Sequence, residues 1–253
     1  MAMRCFQGIE NGETGSLTGS TSVVTRADEA AISQFRQAQY RRSPDLMLSD
    51  ESVLLWDEGD ERSIVLAVRA QDGSLLSTMR GEPLLDMRAA VRALDCSVPV
   101  GAPVFPAMLL GRGATREDCE GLGLNSLMRY HFLRFACEQG VGHIYGRVYG
   151  EAARTNLMRS IGYTFFPHPK GAGVSAGTAG AHSELYVAVL DLELHGEQAL
   201  RALAPRVSDL LIRFPLVVSL RGRGLTADPP PATSLLRASS QAPQRVGARA
   251  MAG

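Results

Sequence analysis

Gly121 and Gly123 stand immediately before a stretch of helical spacing, a placement that suits an anionic ligand. Glycine has no Cβ, so its backbone can come close to a phosphate. A helix start adds N–H groups without intrahelical partners at the positive end of the dipole. The run Gly121-Leu122-Gly123-Leu124-Asn125 is therefore the candidate cradle. Leu110 on the preceding apolar run and the cations Arg112 and Arg116 are candidate neighbours of the same ligand. A glycine pair that only shapes a helix cap is the plain alternative.

Other side chains could do chemistry beside it. Arg36 and Arg80 suit bidentate binding of a carboxylate, with Tyr40 close to Arg36 in sequence. Glu82 stands near the end of an expected strand, where it could take a proton from an amine, and Asp57 and Glu58 are weaker candidates for that role. Tyr149 is a candidate proton donor, with Tyr145 on the same strand as a second. Phe105 could line an apolar channel. Each of these has an ordinary structural reading too: a strand-end carboxylate, a surface ion pair or a packed aromatic. His131 falls on an apolar helix stripe, so core packing is its expected role. No G-x-S-x-G and no Cys–His pair of suitable spacing occurs, which fits chemistry without a covalent nucleophile. No metal-ligand spacing occurs either.

These residues need a scaffold, and the sequence alternates strand and helix signals. Residues 22–25 read as a short strand and 28–41 as a helix ending before Ser43-Pro44. Residues 63–70 and 75–80 flank Asp72-Gly73, a hairpin signal. A helix is expected over 84–94 and a central strand over 103–110, with Pro106 marking an irregular end. The stripe Leu124, Leu127, Met128, His131, Phe132, Phe135, Ala136 makes 121–139 a helix stopped by Gly140. Strand 143–149, helix 152–160, strand 163–166, loop 170–181, strand 185–190 and an amphipathic helix within 196–214 complete the pattern. The expected organisation is a disordered leader (1–20), a mixed α+β domain (21–193), a helical extension (194–225) and a disordered tail (226–253).

The order strand, glycine pair, helix, strand, helix, Gly-aromatic strand resembles the donor-binding core of the GNAT acyltransferases. Their usual Q/R-x-x-G-x-G/A loop corresponds to Asp118-Cys119-Glu120-Gly121-Leu122-Gly123, followed by LNSLM. Their second helix corresponds to Glu151, Arg154, Leu157, Met158, Gly162 and Tyr163. The Phe35-Arg36 to Tyr40 stretch, Trp56-Asp57-Glu58 and Ser77-Thr78-Met79-Arg80 resemble the opening of N-acyl amino acid synthases and acyl-homoserine-lactone synthases. The resemblance implies a GNAT-like, mostly antiparallel sheet flanked by helices. It implies acyl transfer from acyl-CoA, or from the acyl-phosphopantetheine of an acyl carrier protein, to a small amine such as an amino acid. The amine would attack directly, the oxyanion being held by a backbone N–H of the central strand. No permanently bound cofactor is implied. A non-catalytic module that binds acyl-CoA or an acyl carrier is the alternative.

Two positions depart from that pattern. Asp118 replaces Gln or Arg in the loop, with Glu120 beside it, and unscreened acids would weaken binding of a pyrophosphate. Met158 replaces the tyrosine that often protonates the leaving thiolate, and a thioether donates no proton.

Composition excludes other classes. The 26 basic and 26 acidic residues cancel, which gives no electrostatic reason to expect nucleic acid as a partner. No run approaches the roughly 18 apolar residues of a membrane span, no secretory leader pattern is visible, and four scattered cysteines suit free thiols. A cytoplasmic protein is the resulting expectation.

Overall fold

A computed structural model describes residues 17–42, 54–101, 103–149, 154–169, 184–217 and 220. The leader to residue 16, the loop 170–181, His182, Glu151, Cys5 and the tail 226–253 lie outside the described residues. The strands are β1 (Gly19–Val23), β2 (Ile64–Ala70), β3 (Leu75–Leu84), β4 (Ala107–Thr115), β5 (His143–Tyr149), β6 (Thr164–Pro167) and β7 (Leu185–Asp191). The helices are α1 (Glu29–Tyr40), α2 (Glu58–Glu61), α3 (Met87–Leu94), α4 (Leu124–Glu138), α5 (Arg154–Ser160) and α6 (Leu192–Arg213). Among the described residues the seven strands form one sheet in the order β1-β2-β3-β4-β5-β7-β6, antiparallel except for the β4–β5 pair. The expected mixed α+β class, with a mostly antiparallel sheet between helices, is what the chain adopts.

Alternation along the strands divides the core. Leu66 and Val68 of β2, Met108 and Leu110 of β4 and Ile144 and Val148 of β5 point to one face, where α4, α5 and α6 cover them. Val65 and Ala67 point to the other, packing against Ile32 of α1. Leu109 and Tyr145 share that second face with Leu84, Leu94 and Val187, beneath α3. Both faces are covered, so β2 reads as a continuous buried run over Ile64–Val68.

Of the boundaries that differ from the sequence expectation, three have a clear local reason. β4 begins at Ala107 rather than 103 and runs on through Gly111, Arg112 and Gly113 to Thr115, because pairing with β3 carries it past the glycines. Residue 84 ends β3, and α3 starts only at Met87, where the Asp86 side chain accepts from the Ala89 amide at 2.7 Å. α6 starts at Leu192, directly after β7, capped by Asp191. It then crosses α4, burying Leu203, Val207 and Leu210, and its end returns to β1 through the Thr21 Oγ1 bond to the Phe214 carbonyl at 2.9 Å.

Two irregularities of β4 make room at the sheet centre. Thr78 pairs with Ala114 and Arg80 with Gly111, so β4 carries one more residue than β3 across this interval. This is a β-bulge, and Arg112 within it has φ 51°. On its other edge β4 pairs with β5 only from Met108 to Leu110. Beyond Leu110 and Gly146 the two strands continue to Thr115 and Tyr149 without pairing to each other, and the sheet splits.

Candidate active site

The split opens a cavity of about 490 Å³. Tyr40 of α1 lines it from one face of the sheet and Arg129 of α4 from the other, so the cavity passes through the sheet between β4 and β5. Leu110, Gly111 and Arg112 form one wall and Arg147 and Tyr149 the facing one.

The glycine loop abuts this opening on the α4 side. A turn over Glu117–Cys119 delivers the chain to Gly121 (φ 82°) and Gly123 (φ 86°), both in the left-handed region that only glycine occupies freely. Gly123 caps α4 with no side-chain hydrogen bond, so no side chain competes for the first-turn amides. Gly121 and Leu122 are exposed, and the Leu124 side chain is buried in the core. Asn125 ties the loop to the cavity: a Cβ on Gly113, in the cavity wall, would lie 3.2 Å from its side-chain nitrogen. Its oxygen accepts from Arg129 Nε at 2.9 Å. One flank of the loop is closed, since Leu210 of α6 lies 3.1 Å from where a Gly123 Cβ would be.

The acidic residues of this loop are paired. Asp118 holds Arg116 at 2.6 and 2.9 Å, and that hydrogen-bonded guanidinium keeps its carboxyl below the usual range. Arg42 reaches Glu117 at 3.0 Å and Glu120 at 3.6 Å. The repulsion expected of Asp118 and Glu120 is thereby reduced. Arg116, in turn, is engaged with Asp118 rather than standing free beside the loop.

The opposite face holds a cluster of charges. Arg36, fully buried, donates to both oxygens of Asp60 at 2.9 Å. Arg112 Nη1 donates to Asp60 and to the Leu55 carbonyl at 2.7 Å, and its Nη2 to Asp57 at 2.5 Å. Arg80 bonds Glu82 at 2.9 Å and Asp57 at 3.3 Å. Asp57 caps α2 by accepting from the Asp60 amide at 2.9 Å. Burial alone would raise the Asp57 carboxyl, but that amide together with Arg112 and Arg80 holds it below its ordinary value. Burial, then the nearby Arg112, makes Arg80 less basic, against the pull of Glu82, Asp60 and Asp57.

The sequence-derived candidates thus fall into separate places. Tyr40, Arg80, Leu110, Arg112 and Tyr149 line the cavity, and the Tyr40 hydroxyl donates to the Gly113 carbonyl at 3.2 Å. Glu82 is paired with Leu109 across the β3–β4 ladder and held by Arg80. Arg36 lies beneath the cavity wall, spent on Asp60. Phe105 precedes β4 and packs on the cluster of Leu84, Leu94 and Leu109, away from the split. Tyr145 is buried on that cluster too; burial, then Asp191, pushes its phenol up to about 12, which suits a packed ring. Met158 is buried with its Cε 3.5 Å from where a Gly146 Cβ would be, at the parting of the strands. The described cysteines Cys96, Cys119 and Cys137 are free, and burial foremost pushes each thiol up, away from a reactive thiolate. Among the described residues no group of three or more His, Cys, Asp or Glu could hold a metal, and no helix is long and apolar enough to cross a membrane. Asp60, Arg129 and Arg147 escape sequence reading; the one signal was the Asp57-x-x-Asp60 spacing of a capping box.

No family model and no curated protein matches the sequence. Solved structures do match. A CoA-dependent acyl-homoserine lactone synthase, BjaI, solved with SAM and isopentyl-CoA, is 15% identical over 79% of this chain and 92% of that one, with a TM-score of 0.50. Another CoA-dependent acyl-homoserine lactone synthase, MesI, is 13% identical over 74% and 95%, at 0.46. A ribosomal-protein-alanine N-acetyltransferase from Brucella melitensis is 17% identical over 68% and 99%, at 0.48. The BjaI comparison carries the fold alone: this chain has a GNAT-like fold, a mostly antiparallel sheet flanked by helices. The resemblance read from the glycine loop and the strand order therefore holds at the level of fold.

Proposed function

We propose that the chain is an N-acyltransferase that moves an acyl group from an acyl thioester to the amine of a small substrate, an amino acid being the substrate that suits it best. The observation that carries this reading is the cavity through the split sheet, with the capless, glycine-opened start of α4 beside it. The donor, acyl-CoA or the acyl-phosphopantetheine of an acyl carrier protein, would lie in the split with its phosphate toward residues 121–125. Pairing of Asp118, Glu117 and Glu120 with arginines supports acyl-CoA as an acceptable donor.

The chemistry needs no covalent enzyme intermediate. The amine nitrogen attacks the thioester carbonyl carbon and gives up its proton to Glu82 directly or through water. A backbone N–H at the β4 bulge stabilises the oxyanion, and the C–S bond then breaks. Tyr149 is the candidate donor of a proton to sulfur. Protonation is dispensable at modest cost, because a thiol of pKa about 8.5 leaves readily as thiolate.

The second reading, a binder that does not turn over, draws support from buried Met158, which leaves no proton donor at that position. Titration with acyl-CoA in a thermal-shift assay, followed by a thiol-release assay, separates the two. Raised Tm with released thiol is expected; raised Tm without thiol release supports the binder. Gly121→Glu places a carboxylate at the cradle with open space around it, so it should remove the donor-induced shift. An unchanged shift in that variant discards the loop assignment. Long-chain donors should outpace acetyl-CoA, and equal turnover would count against the acyl amino acid synthase branch.

A further inference from the structure

The charges around the cavity do not cancel. Arg36, Arg80 and Arg112 are matched by Asp57, Asp60 and Glu82 in one bonded cluster. Arg147 also lines the cavity, is exposed, and makes no hydrogen bond or ion pair among the described residues. It follows Gly146, the last residue of β5 paired with β4, so it stands where the strands part.

Its side of the sheet is also fixed. Arg147 pairs with Val187, which packs with Leu84, Leu109 and Tyr145 on the α3 side. The glycine loop and α4 cover the other side, over Leu110, Ile144 and Val148. Arg147 therefore faces the half of the cavity across the sheet from the phosphate cradle. A lone guanidinium there repels a simple ammonium and favours a substrate that brings its own anion.

Building on the acyltransferase reading, we infer that Arg147 binds the carboxylate of the acceptor, and that the acceptor is an amino-carboxylate entering from the α1/α3 side. Arg36 and Arg80, the guanidiniums that sequence reasoning favours for this task, are occupied by Asp60 and Glu82. Arg147 has the planar two-point donor geometry that a carboxylate matches. In an α-amino acid the nitrogen is two bonds from the carboxyl carbon, so a carboxylate held by Arg147 keeps the amine at the split where the thioester carbonyl would lie.

The test uses the full-length protein, decanoyl-CoA and thiol release, with the proteinogenic L-amino acids set against their methyl esters. Wild type should prefer acids to esters. Arg147→Gln should raise the acceptor KM about 10- to 100-fold, the worth of a charge-assisted hydrogen bond, leave the donor KM unchanged and erase the preference. Arg147→Lys should restore part of it. Retained preference in Arg147→Gln overturns the assignment, as does a rise in donor KM alone, which would give Arg147 to the donor's phosphates. Ester turnover equal to acid turnover in wild type also overturns it while leaving the transferase reading standing. Absence of thiol release with every amine, from decanoyl-CoA and from a decanoyl-loaded acyl carrier protein alike, sinks both together.

Discussion

The two borders of the split in this sheet are built from different materials. On the α4 side the split is bordered by apolar packing, with Met108, Leu110, Leu127, Phe132 and Met158 buried, and by a glycine-shaped backbone. On the α1/α2 side it is bordered by guanidinium–carboxylate pairs, with Arg36 and Asp60 buried to 0% and 1% exposure. Backbone amides can cradle an anion without carrying net charge, so the donor role proposed for the α4 side is compatible with an apolar setting. The other side must hold Arg112 at a bulge with φ 51° and keep Arg80 oriented, and fixed ion pairs do this directionally. The contrast teaches that the α4 border of the split relies on packing and its α1/α2 border on charge geometry.

Breaking the charged border should have the largest effect. Asp60→Ala leaves buried Arg36 without its carboxylate and removes one partner of Arg112. Removing one member of a buried ion pair costs about 3–5 kcal/mol. Urea denaturation should report a loss of that size, and a loss under about 1 kcal/mol would mean that the pair is not structural. Replacing both partners, Arg36→Met with Asp60→Leu, should recover part of it, because no uncompensated charge remains buried.

The α4 side has its own titrating weakness, somewhat smaller. His131 is buried on α4; burial, then Arg134, lowers its pKa from 6.5 to about 4. A histidine with a depressed folded pKa is protonated in the unfolded chain first. Its contribution is therefore complete above about pH 6.5, falls between pH 6.5 and 4, and is absent below. At about 1.4 kcal/mol per unit, the loss across that window is roughly 3 kcal/mol. His131→Leu should flatten that segment of the stability–pH curve. An unchanged slope in the variant would assign the acid sensitivity elsewhere.

Much of this scaffold is legible in the sequence, because it depends on local periodicity. The apolar stripe marks α4, and Asp72-Gly73 marks the β2–β3 turn, where Gly73 has φ 83° and donates to the Ala70 carbonyl at 3.0 Å. The order of elements along the chain and the glycine loop emerge from the same reading. The extent of β4, its bulge and the parting from β5 do not, since strand register is decided across the sheet and leaves no period in one strand. The same holds for Asp60 and Arg147. Asp60 reads as one of several acids in Asp57-Glu58-Gly59-Asp60-Glu61, and only folding buries it against Arg36. Arg147 reads as an alternating strand residue until the split makes its outer face a cavity wall.

The smallest effect comes from the glycine loop on the α4 side, and it sharpens the division of labour between its glycines. Both Gly121 and Gly123 have positive φ, so an alanine at either position costs about 1–2 kcal/mol in backbone strain. At Gly121 nothing lies within 4 Å of the added methyl group, and strain is the whole cost. At Gly123 the methyl would meet Leu210 at 3.1 Å and approach the Arg206 carbonyl at 4.0 Å, so α6 must also give way. Gly123→Ala should therefore be the less stable variant by about 1 kcal/mol in urea denaturation, through overpacking against α6. Leu210→Ala should narrow that gap, because it removes the obstacle. Equal stability of the two single variants would mean that α6 does not press on the loop, and the α4 side of the split would then be shaped by the backbone alone.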